Sequence, residues 1–247
     1  MVAQPRMRAS SESIGFPGPP SAFRVAMATA ARRSGSTGGS TSTSARLSRH
    51  AREAIVRLPE LASHVHPLMD TALLIIDVQQ GLCEGEHVAF ESQQVIARIN
   101  IVSAKARAAG ALVIFVQHES ASGYLEFGTD AWQLARGLHT EASDVRLRKT
   151  TPDSFHRTEL QEVLRSHAVS SLIVCGMHTE FCVDTTTRRA LALGFPVVLV
   201  EDAHTTEANE HLSAVQIIQH HNDTLTNITS FGPRVRAVSS DDLRLVV

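Results

Sequence analysis

From residue 69 onward, short apolar runs alternate with longer amphipathic segments. The runs at 72–76, 111–116, 172–174 and 197–200 are almost purely apolar, as expected for strands buried on both faces. The runs at 145–147 and 235–238, each with one arginine, are further strand candidates. Segments 93–109, 158–167, 182–193 and 207–221 place apolar residues at helical spacing, and Gly110 and Gly194 follow the first and third of them. Strands alternating with helices predict a three-layer α/β/α sandwich around a mostly parallel, Rossmann-like sheet of about six strands.

One long polar stretch interrupts this alternation. Residues 118–143 lie between two predicted strands and carry Tyr124, Phe127 and Trp132. Tyr124 and Trp132 are the only tyrosine and the only tryptophan of the chain. Loops of this length inside a compact domain commonly form lids or binding loops, so we expect this stretch to cover a site.

Residues 1–68 differ in composition from the remainder, residues 69–247, which we take as the folded domain. The first fifty residues are rich in Ser, Thr, Gly, Pro and Arg, with Glu12 as their only acidic residue. Such a segment buries too little apolar surface to offset its ordering entropy, so we predict a disordered tail with a short lead-in helix at 49–66. A transit peptide and a misassigned start ahead of Met69 are the alternatives.

Composition narrows the class of protein. The chain has 247 residues, 43% of them hydrophobic and 19% charged, with a net charge of −2, which favours a globular protein over a nucleic-acid or anionic-membrane binder. No apolar run approaches the roughly 18 residues of a membrane span. Three cysteines, Cys83, Cys175 and Cys182, are too few for a disulfide framework. We therefore expect a cytoplasmic protein in a reducing compartment.

The candidate chemistry lies where the predicted strands end. In open parallel sheets, ligands bind beyond the carboxyl ends of the strands. The polar residues at those ends are Asp77, Gln117, His118, Arg148, Lys149, Cys175, His178, Glu201 and Asp202. An acid, a cation and a thiol at one edge favour a catalytic site over a set of solvated strand ends.

Cys182 is the strongest candidate nucleophile. It opens the helix predicted at 182–193, where the helix dipole and free amide groups favour a thiolate, and Lys149 acts in the same direction if it lies nearby. Asp77 is placed to take the thiol proton and to pass it to a leaving amine. Cys175 lies within an apolar strand and is expected to be buried and inert, and Cys83 is expected to fill a loop.

Three segments resemble the isochorismatase-like cysteine hydrolases. They are residues 73–79 (LLIIDVQ), 149–155 (KTTPDSF) and 176–190 (GMHTEFCVDTTTRRA), and the similarity runs from about residue 70 to about 228. The resemblance implies a catalytic triad of Asp77, Lys149 and Cys182. The chain has only two lysines against 21 arginines, and Lys149 is one of them, which suits a site that requires a compact ammonium.

The resemblance also implies a mechanism. A cis peptide between Met177 and His178 would direct the backbone N–H groups of His178 and Cys182 at an oxyanion. The thiol of Cys182 would attack the carbonyl of a small molecule, giving a thioester that water then hydrolyses. The expected reaction is cleavage of a C–N bond in an amide, carbamoyl or lactam compound, without a cofactor.

The sequence departs from the nicotinamidase branch of this family. That branch carries an Asp-x-His metal pair after the second strand, whereas residues 117–120 read Gln-His-Glu-Ser here. We therefore expect no metal site. The residues expected to contact substrate are Gln79, His118, Trp132, Phe155 and Phe181, although a purely packing role is an equal alternative for Trp132, and Phe155 and Phe181 are either pocket or core residues.

Two other functions stay open on the sequence alone. An isochorismatase-like ether hydrolase would need Asp77 but not Cys182, and a non-catalytic interaction protein would keep only the fold. The expected partners are a small-molecule substrate and further copies of the chain in a homo-oligomer, with no nucleic acid and no membrane. The sequence leaves the identity of the substrate undetermined.

Overall fold

The structure is a computed structural model that describes residues 70–85 and 88–245. The predicted tail of residues 1–68, its lead-in helix at 49–66, and Met69 lie outside these residues and stay predictions. The described residues form six strands, five α-helices and one π-helix. In chain order these are β1 (Thr71–Ile76), α1 (Gln80–Cys83), α2 (Ser92–Ala108), β2 (Leu112–His118), β3 (Val145–Lys149), α3 (Leu160–Ser166), β4 (Ser171–Met177), the π-helix (Thr179–Val183), α4 (Asp184–Ala192), β5 (Val197–Thr205), α5 (Ala214–Thr226) and β6 (Val235–Val238).

The six strands form one parallel sheet in the order β3-β2-β1-β4-β5-β6. The central strand β1 pairs with β2 on one side and with β4 on the other. The strand order therefore reverses between β1 and β4. In folds of this kind the crevice beyond the carboxyl ends at such a reversal is the ordinary place for a ligand.

Helices cover both faces of the sheet, which confirms the predicted three-layer sandwich. Successive residues of β1 alternate between two cores because strand side chains point to opposite faces. Leu73 and Ile75 pack in one core with the apolar side of α2, and Leu74 and Ile76 pack in the other with residues of α3, α4 and α5. Burial on both faces explains why β1 consists of aliphatic residues without polar alternation.

Two predicted helix boundaries differ from the structure. The helix predicted at 207–221 begins later, at Ala214, and Ser213 is its N-cap. The Ser213 hydroxyl accepts a hydrogen bond from the backbone N–H of Gln216, and the Gln216 side chain accepts one from the backbone N–H of Ser213. The residues before this cap belong to an extended β5, which ends at Thr205, and to the connection that follows it. The helix predicted from Cys182 begins as a π-helix at Thr179, so Cys182 lies inside its first turn.

Across residues 70–85 and 88–245, no helix combines the length and the apolar character needed to cross a membrane.

Candidate active site

The three predicted triad residues come from three different elements. Asp77 follows β1 directly, Lys149 is the last residue of β3, and Cys182 lies in the π-helix that follows β4. They meet at the carboxyl edge of the sheet, where the strand order reverses between β1 and β4. Asp77 has a left-handed backbone (φ 52°), which is uncommon for a residue other than glycine and is typical of positions constrained by function.

The side chains of this triad are in direct contact. The Lys149 ammonium donates to Asp77 Oδ2 at 2.6 Å and to Cys182 Sγ at 3.1 Å. Asp77 and Lys149 are almost fully buried, and Cys182 keeps 9% of its surface exposed. The second oxygen, Asp77 Oδ1, is buried and has no hydrogen-bond partner among the described residues. The structure therefore leaves one carboxylate oxygen available to a proton or a ligand, beside a thiol that is partly accessible.

The sheet brings β4 unusually close to β1 just before the thiol. Gly176 has φ +120°, and a Cβ at this position would lie 2.1 Å from the Ile76 carbonyl oxygen. Only glycine fits here. The Met177–His178 peptide bond that follows is cis. This close approach places the start of the π-helix next to Asp77.

Burial raises the pKa of the Cys182 thiol to about 12, and the Asp77 charge acts in the same direction while Lys149 opposes it. Burial alone would lower the pKa of Lys149, but the neighbouring Asp77 and Cys182 raise it. The expectation of a preformed thiolate is therefore wrong for the free site. One cation beside one carboxylate is already neutral, and a thiolate would add an uncompensated buried charge.

His118 extends the cluster at the end of β2. Its Nδ1 lies 3.4 Å from Lys149 Nζ. Because an ammonium can only donate, Nδ1 must be the acceptor and the ring proton resides on Nε2. Burial, followed by the charge of Lys149, lowers the pKa of His118, which favours this neutral form. His118 thus contacts the ammonium directly, and its contact with substrate stays a prediction.

Asp77, His118 and Cys182 also form a cluster of groups that can bind metal ions. One ligand atom each of Asp77, His118 and Cys182 lies within 4.8 Å of the others, and carboxylate, imidazole and thiol are ligands that zinc accepts. The Lys149 ammonium, however, lies within 3.4 Å of all three side chains and is a cation already. The donor set therefore does not fit a metal while Lys149 is in place, and the metal-free reaction stays a prediction.

Gln79 was expected to contact substrate, which stays a prediction, and the structure gives its side chain a role within the protein. Its side chain is fully buried, and its amide nitrogen donates to the carbonyls of His118 and Trp132 while its oxygen accepts from the His118 amide. Both amide protons are used in these bonds, so Gln79 has none left for a ligand. It holds the chain after β1 against the loop that connects β2 to β3.

This β2–β3 loop, residues 119–144, is fixed to the chain that follows β1. The amides of Gln80 and Gly81 donate to carbonyls of the loop at 2.8 and 2.9 Å, and the amide of Ala135 donates back to Val78 at 2.9 Å. Trp132 is half-buried against the edge of Phe127, with ring centroids 4.8 Å apart. These hydrogen bonds attach the loop to the segment that follows β1, so the loop packs as a fixed part of the domain and not as a detached lid.

The two candidate phenylalanines have opposite environments. Phe155 is buried in the core that also contains Cys182 and stacks on Phe195, with ring centroids 6.2 Å apart. This environment agrees with the core role, one of the two roles that the sequence left open for Phe155. Phe181, directly before Cys182 in the chain, is 56% exposed, so its ring is accessible, and its contact with substrate stays a prediction.

Sequence reasoning missed two polar atoms of the π-helix region. The atoms His178 Nε2 and Glu180 Oε2 are buried and lack a hydrogen-bond partner among the residues described. Both residues lie shortly before Cys182 in the chain, and buried polar atoms without a partner are uncommon in folded proteins. The sequence considered His178 only for its backbone N–H, and no pattern signalled the orientation of either side chain.

Residues 71–229 match the family model of the isochorismatase domain. A curated relative, streptothricin hydrolase from Streptomyces noursei, is 39% identical over 136 residues, which cover 55% of this chain. The match spans about half of that relative, 49% of its length. Ureidoacrylate amidohydrolase from Pantoea ananatis is 28% identical over 170 residues, covering 54% of this chain and 68% of that protein.

A solved structure agrees with the fold. The crystal structure of an isochorismatase family protein superposes with a TM-score of 0.64 at 38% sequence identity, covering 70% of this chain and 99% of that one.

Proposed function

The chain belongs to the isochorismatase family of hydrolases, and we propose that it cleaves a C–N bond of a small molecule with Cys182 as nucleophile. The observation that carries this proposal is the buried contact of one ammonium, Lys149, with both a carboxylate and a thiol. An ether hydrolase needs no thiol at this point. A thiol beside a proton acceptor is the arrangement used for acyl transfer through a covalent intermediate.

The first step is attack by the thiol. Because the thiol has a raised pKa, it loses its proton to Asp77 as its sulfur bonds to the substrate carbonyl carbon. The resulting oxyanion accepts hydrogen bonds from the backbone N–H groups of His178 and Cys182. Such donors typically contribute about 100-fold or more each to the rate. The ammonium of Lys149 keeps the cluster neutral once negative charge moves from the carboxylate toward the sulfur and the oxyanion.

The second step expels the amine. Asp77, now carrying the thiol proton, donates it to the substrate nitrogen, and the C–N bond breaks to leave a thioester on Cys182. The carboxylate of Asp77 is regenerated by this transfer. It then takes a proton from water as the water oxygen attacks the thioester, and collapse releases a carboxylic acid and the Cys182 thiol. Each proton therefore passes through one carboxylate, which suits a group with one unpartnered oxygen.

The substrate class is supported by relatives and by the surroundings of the thiol. Two relatives of this chain are named for hydrolysis of streptothricin and of ureidoacrylate, the second as an amidohydrolase. Near Cys182 in the chain, Phe181 is exposed and His178 and Glu180 each have a buried polar atom without a partner among the described residues, so an apolar group and polar groups are available in this segment. Such groups suit a small amide, carbamoyl compound or lactam.

The test is hydrolysis of streptothricin and of a panel of primary amides, carbamoyl compounds and lactams. Wild type is compared with Cys182→Ala and with Cys83→Ala, a matched control that removes a buried thiol outside the triad. Hydroxylamine is added to intercept a thioester as the hydroxamate. We expect turnover and hydroxamate in wild type and Cys83→Ala, and neither in Cys182→Ala.

Two results would overturn the proposal. Turnover of isochorismate that survives Cys182→Ala but not Asp77→Asn would establish an ether hydrolase. Failure of a reactive ester, p-nitrophenyl acetate, to acylate Cys182 in folded wild type would remove the nucleophile and leave a non-catalytic member of the fold.

A further inference from the structure

A chain of hydrogen bonds links α5 to the π-helix through a buried histidine. His204 Nδ1 lies 2.9 Å from Thr179 Oγ1, and His204 Nε2 lies 2.8 Å from Asn222 Oδ1. The Asn222 amide nitrogen in turn donates to the Glu201 carbonyl at 3.2 Å. Thr179 and His204 are both almost completely buried. The reaction described above does not use any of these groups.

The direction of each bond follows by elimination. Because the Asn222 nitrogen donates to a carbonyl, its oxygen faces His204 and must accept, so His204 Nε2 carries a proton. Burial lowers the pKa of His204 to about 4, which keeps the ring neutral and leaves Nδ1 without a proton. Nδ1 then accepts from the Thr179 hydroxyl. Each hydrogen bond in this series therefore has one defined donor and one defined acceptor.

This series of hydrogen bonds ends on the π-helix that carries the nucleophile. Thr179 is the first residue of the π-helix, and Cys182 is the fourth. His204 itself pairs with Gly176 in the β4–β5 register, after a shift in that register between Val174 and Gly176. The same histidine thus contacts the strand that enters the turn and the helix that leaves it.

We propose, resting on the function proposed above, that His204 is a positioning residue that fixes the π-helix so that the Cys182 thiol and the oxyanion N–H groups face the substrate carbonyl together. It does so through the hydroxyl of Thr179. In this role His204 orients the π-helix and adds no charge to the site. The charged groups of the site, the ammonium and the carboxylate, lie at the ends of other strands.

Two probes separate orientation from thiol reactivity. Alkylation of Cys182 by iodoacetamide, followed by peptide mass mapping, depends on the ionisation of the thiol. Acylation by p-nitrophenyl acetate, followed by the burst of p-nitrophenolate, also needs the oxyanion donors. A residue that only stabilises the fold would change the melting temperature and leave both rates of the folded protein unaltered.

The variants are Thr179→Val, which keeps the shape and removes the hydroxyl, and Thr179→Ser, which restores it. We expect Thr179→Val to acylate at least about tenfold more slowly, because a misplacement on the order of 1 Å can cost about 100-fold. Alkylation should stay within about twofold of wild type, since the charges around the thiol are unchanged. Thr179→Ser should recover most of the acylation rate.

Substitution of the histidine gives an independent arm. His204→Asn offers an oxygen near the position of Nδ1 and should keep more acylation than His204→Gln, which reaches toward Asn222 instead. Equal acylation by folded Thr179→Val and wild type would overturn the positioning role while leaving the nucleophile intact. Absence of acylation in wild type would instead refute the proposed function itself.

Discussion

Replacement of Asp77 by Asn is predicted to have opposite effects on two reactions of the same thiol. In the wild type, the carboxylate raises the pKa of Cys182 and the Lys149 ammonium lowers it. Asn removes the negative charge and keeps the ammonium. The thiol should therefore ionise more easily, while the site loses the group that carries the proton to the leaving amine.

The size of the effect follows from the geometry. A carboxylate oxygen of Asp77 lies within 4.8 Å of Cys182 Sγ. At an effective dielectric constant of about 20, two unit charges at that separation repel by roughly 3.5 kcal/mol, which is roughly 300-fold in the thiolate fraction. A less basic thiolate is also a weaker nucleophile, by roughly tenfold here. The net prediction is that alkylation near neutral pH becomes roughly 30-fold faster, whereas hydrolysis falls by about 100-fold or more.

The assay measures iodoacetamide alkylation of Cys182 against pH, beside amide hydrolysis, in wild type, Asp77→Asn and Asp184→Asn. Asp184 is a matched control because it lies close to the thiol in sequence but is paired with Arg188. It should leave both reactions unchanged. Slower or unaltered alkylation in a folded Asp77→Asn protein would refute the reasoning that one cation and one carboxylate already balance the site.

Three further predictions concern stability. Lys149→Met should abolish hydrolysis and lower the free energy of unfolding in urea by about 3–5 kcal/mol, because it leaves a buried carboxylate unpaired; loss of less than about 1 kcal/mol would contradict this. Gly176→Ala should cost more than about 4 kcal/mol since its Cβ would overlap a β1 carbonyl, whereas Gly194→Ala, at φ +96° in open space, should cost about 1–2 kcal/mol. The pKa of His204 is lowered from 6.5 to about 4, so its contribution to stability is complete above about pH 6.5 and is lost as the pH falls toward about 4. Urea unfolding should show about 2 kcal/mol less stability at about pH 5 than at about pH 7, and His204→Asn should lack that part of the loss.

Much of the fold was predictable because parallel strands leave a strong mark on the sequence. β1 is buried on both faces, and its unbroken aliphatic run reports this directly. The start of α5 was less predictable. Helical spacing in 207–221 extends before the cap, and only the reciprocal bonds of Ser213 and Gln216 determine where the helix begins.

That Asp77, Lys149 and Cys182 lie close together was predictable, because they follow strands that end at one edge and because the family resemblance implies them as a triad. What the sequence could not supply was the balance of charge and burial around them. A helix start and a lysine favour a thiolate, but burial and a neighbouring carboxylate outweigh them at Cys182. Gln79 shows the same limit, since a polar residue near a nucleophile is equally suited to substrate contact and to holding a loop.

The hydrogen-bond chain through His204 was not predictable from spacing. Its members lie on the π-helix, β5 and α5, and they meet only because β5 shifts register beside β4. The sequence contains 13 histidines, and a buried one differs from the others only in its tertiary surroundings.

The most direct test of the account is to determine which residue carries the acyl group during turnover. Wild-type protein is mixed with p-nitrophenyl acetate and quenched in acid within the burst. It is digested with a protease that cleaves after glutamate, because cleavage at Glu180 separates Cys175 from Cys182. The masses of the three cysteine-containing peptides are then measured. The account predicts an acetyl group on the peptide of Cys182 alone, which disappears as hydrolysis proceeds. An unlabelled Cys182, or a stable label on Cys83 instead, would contradict it.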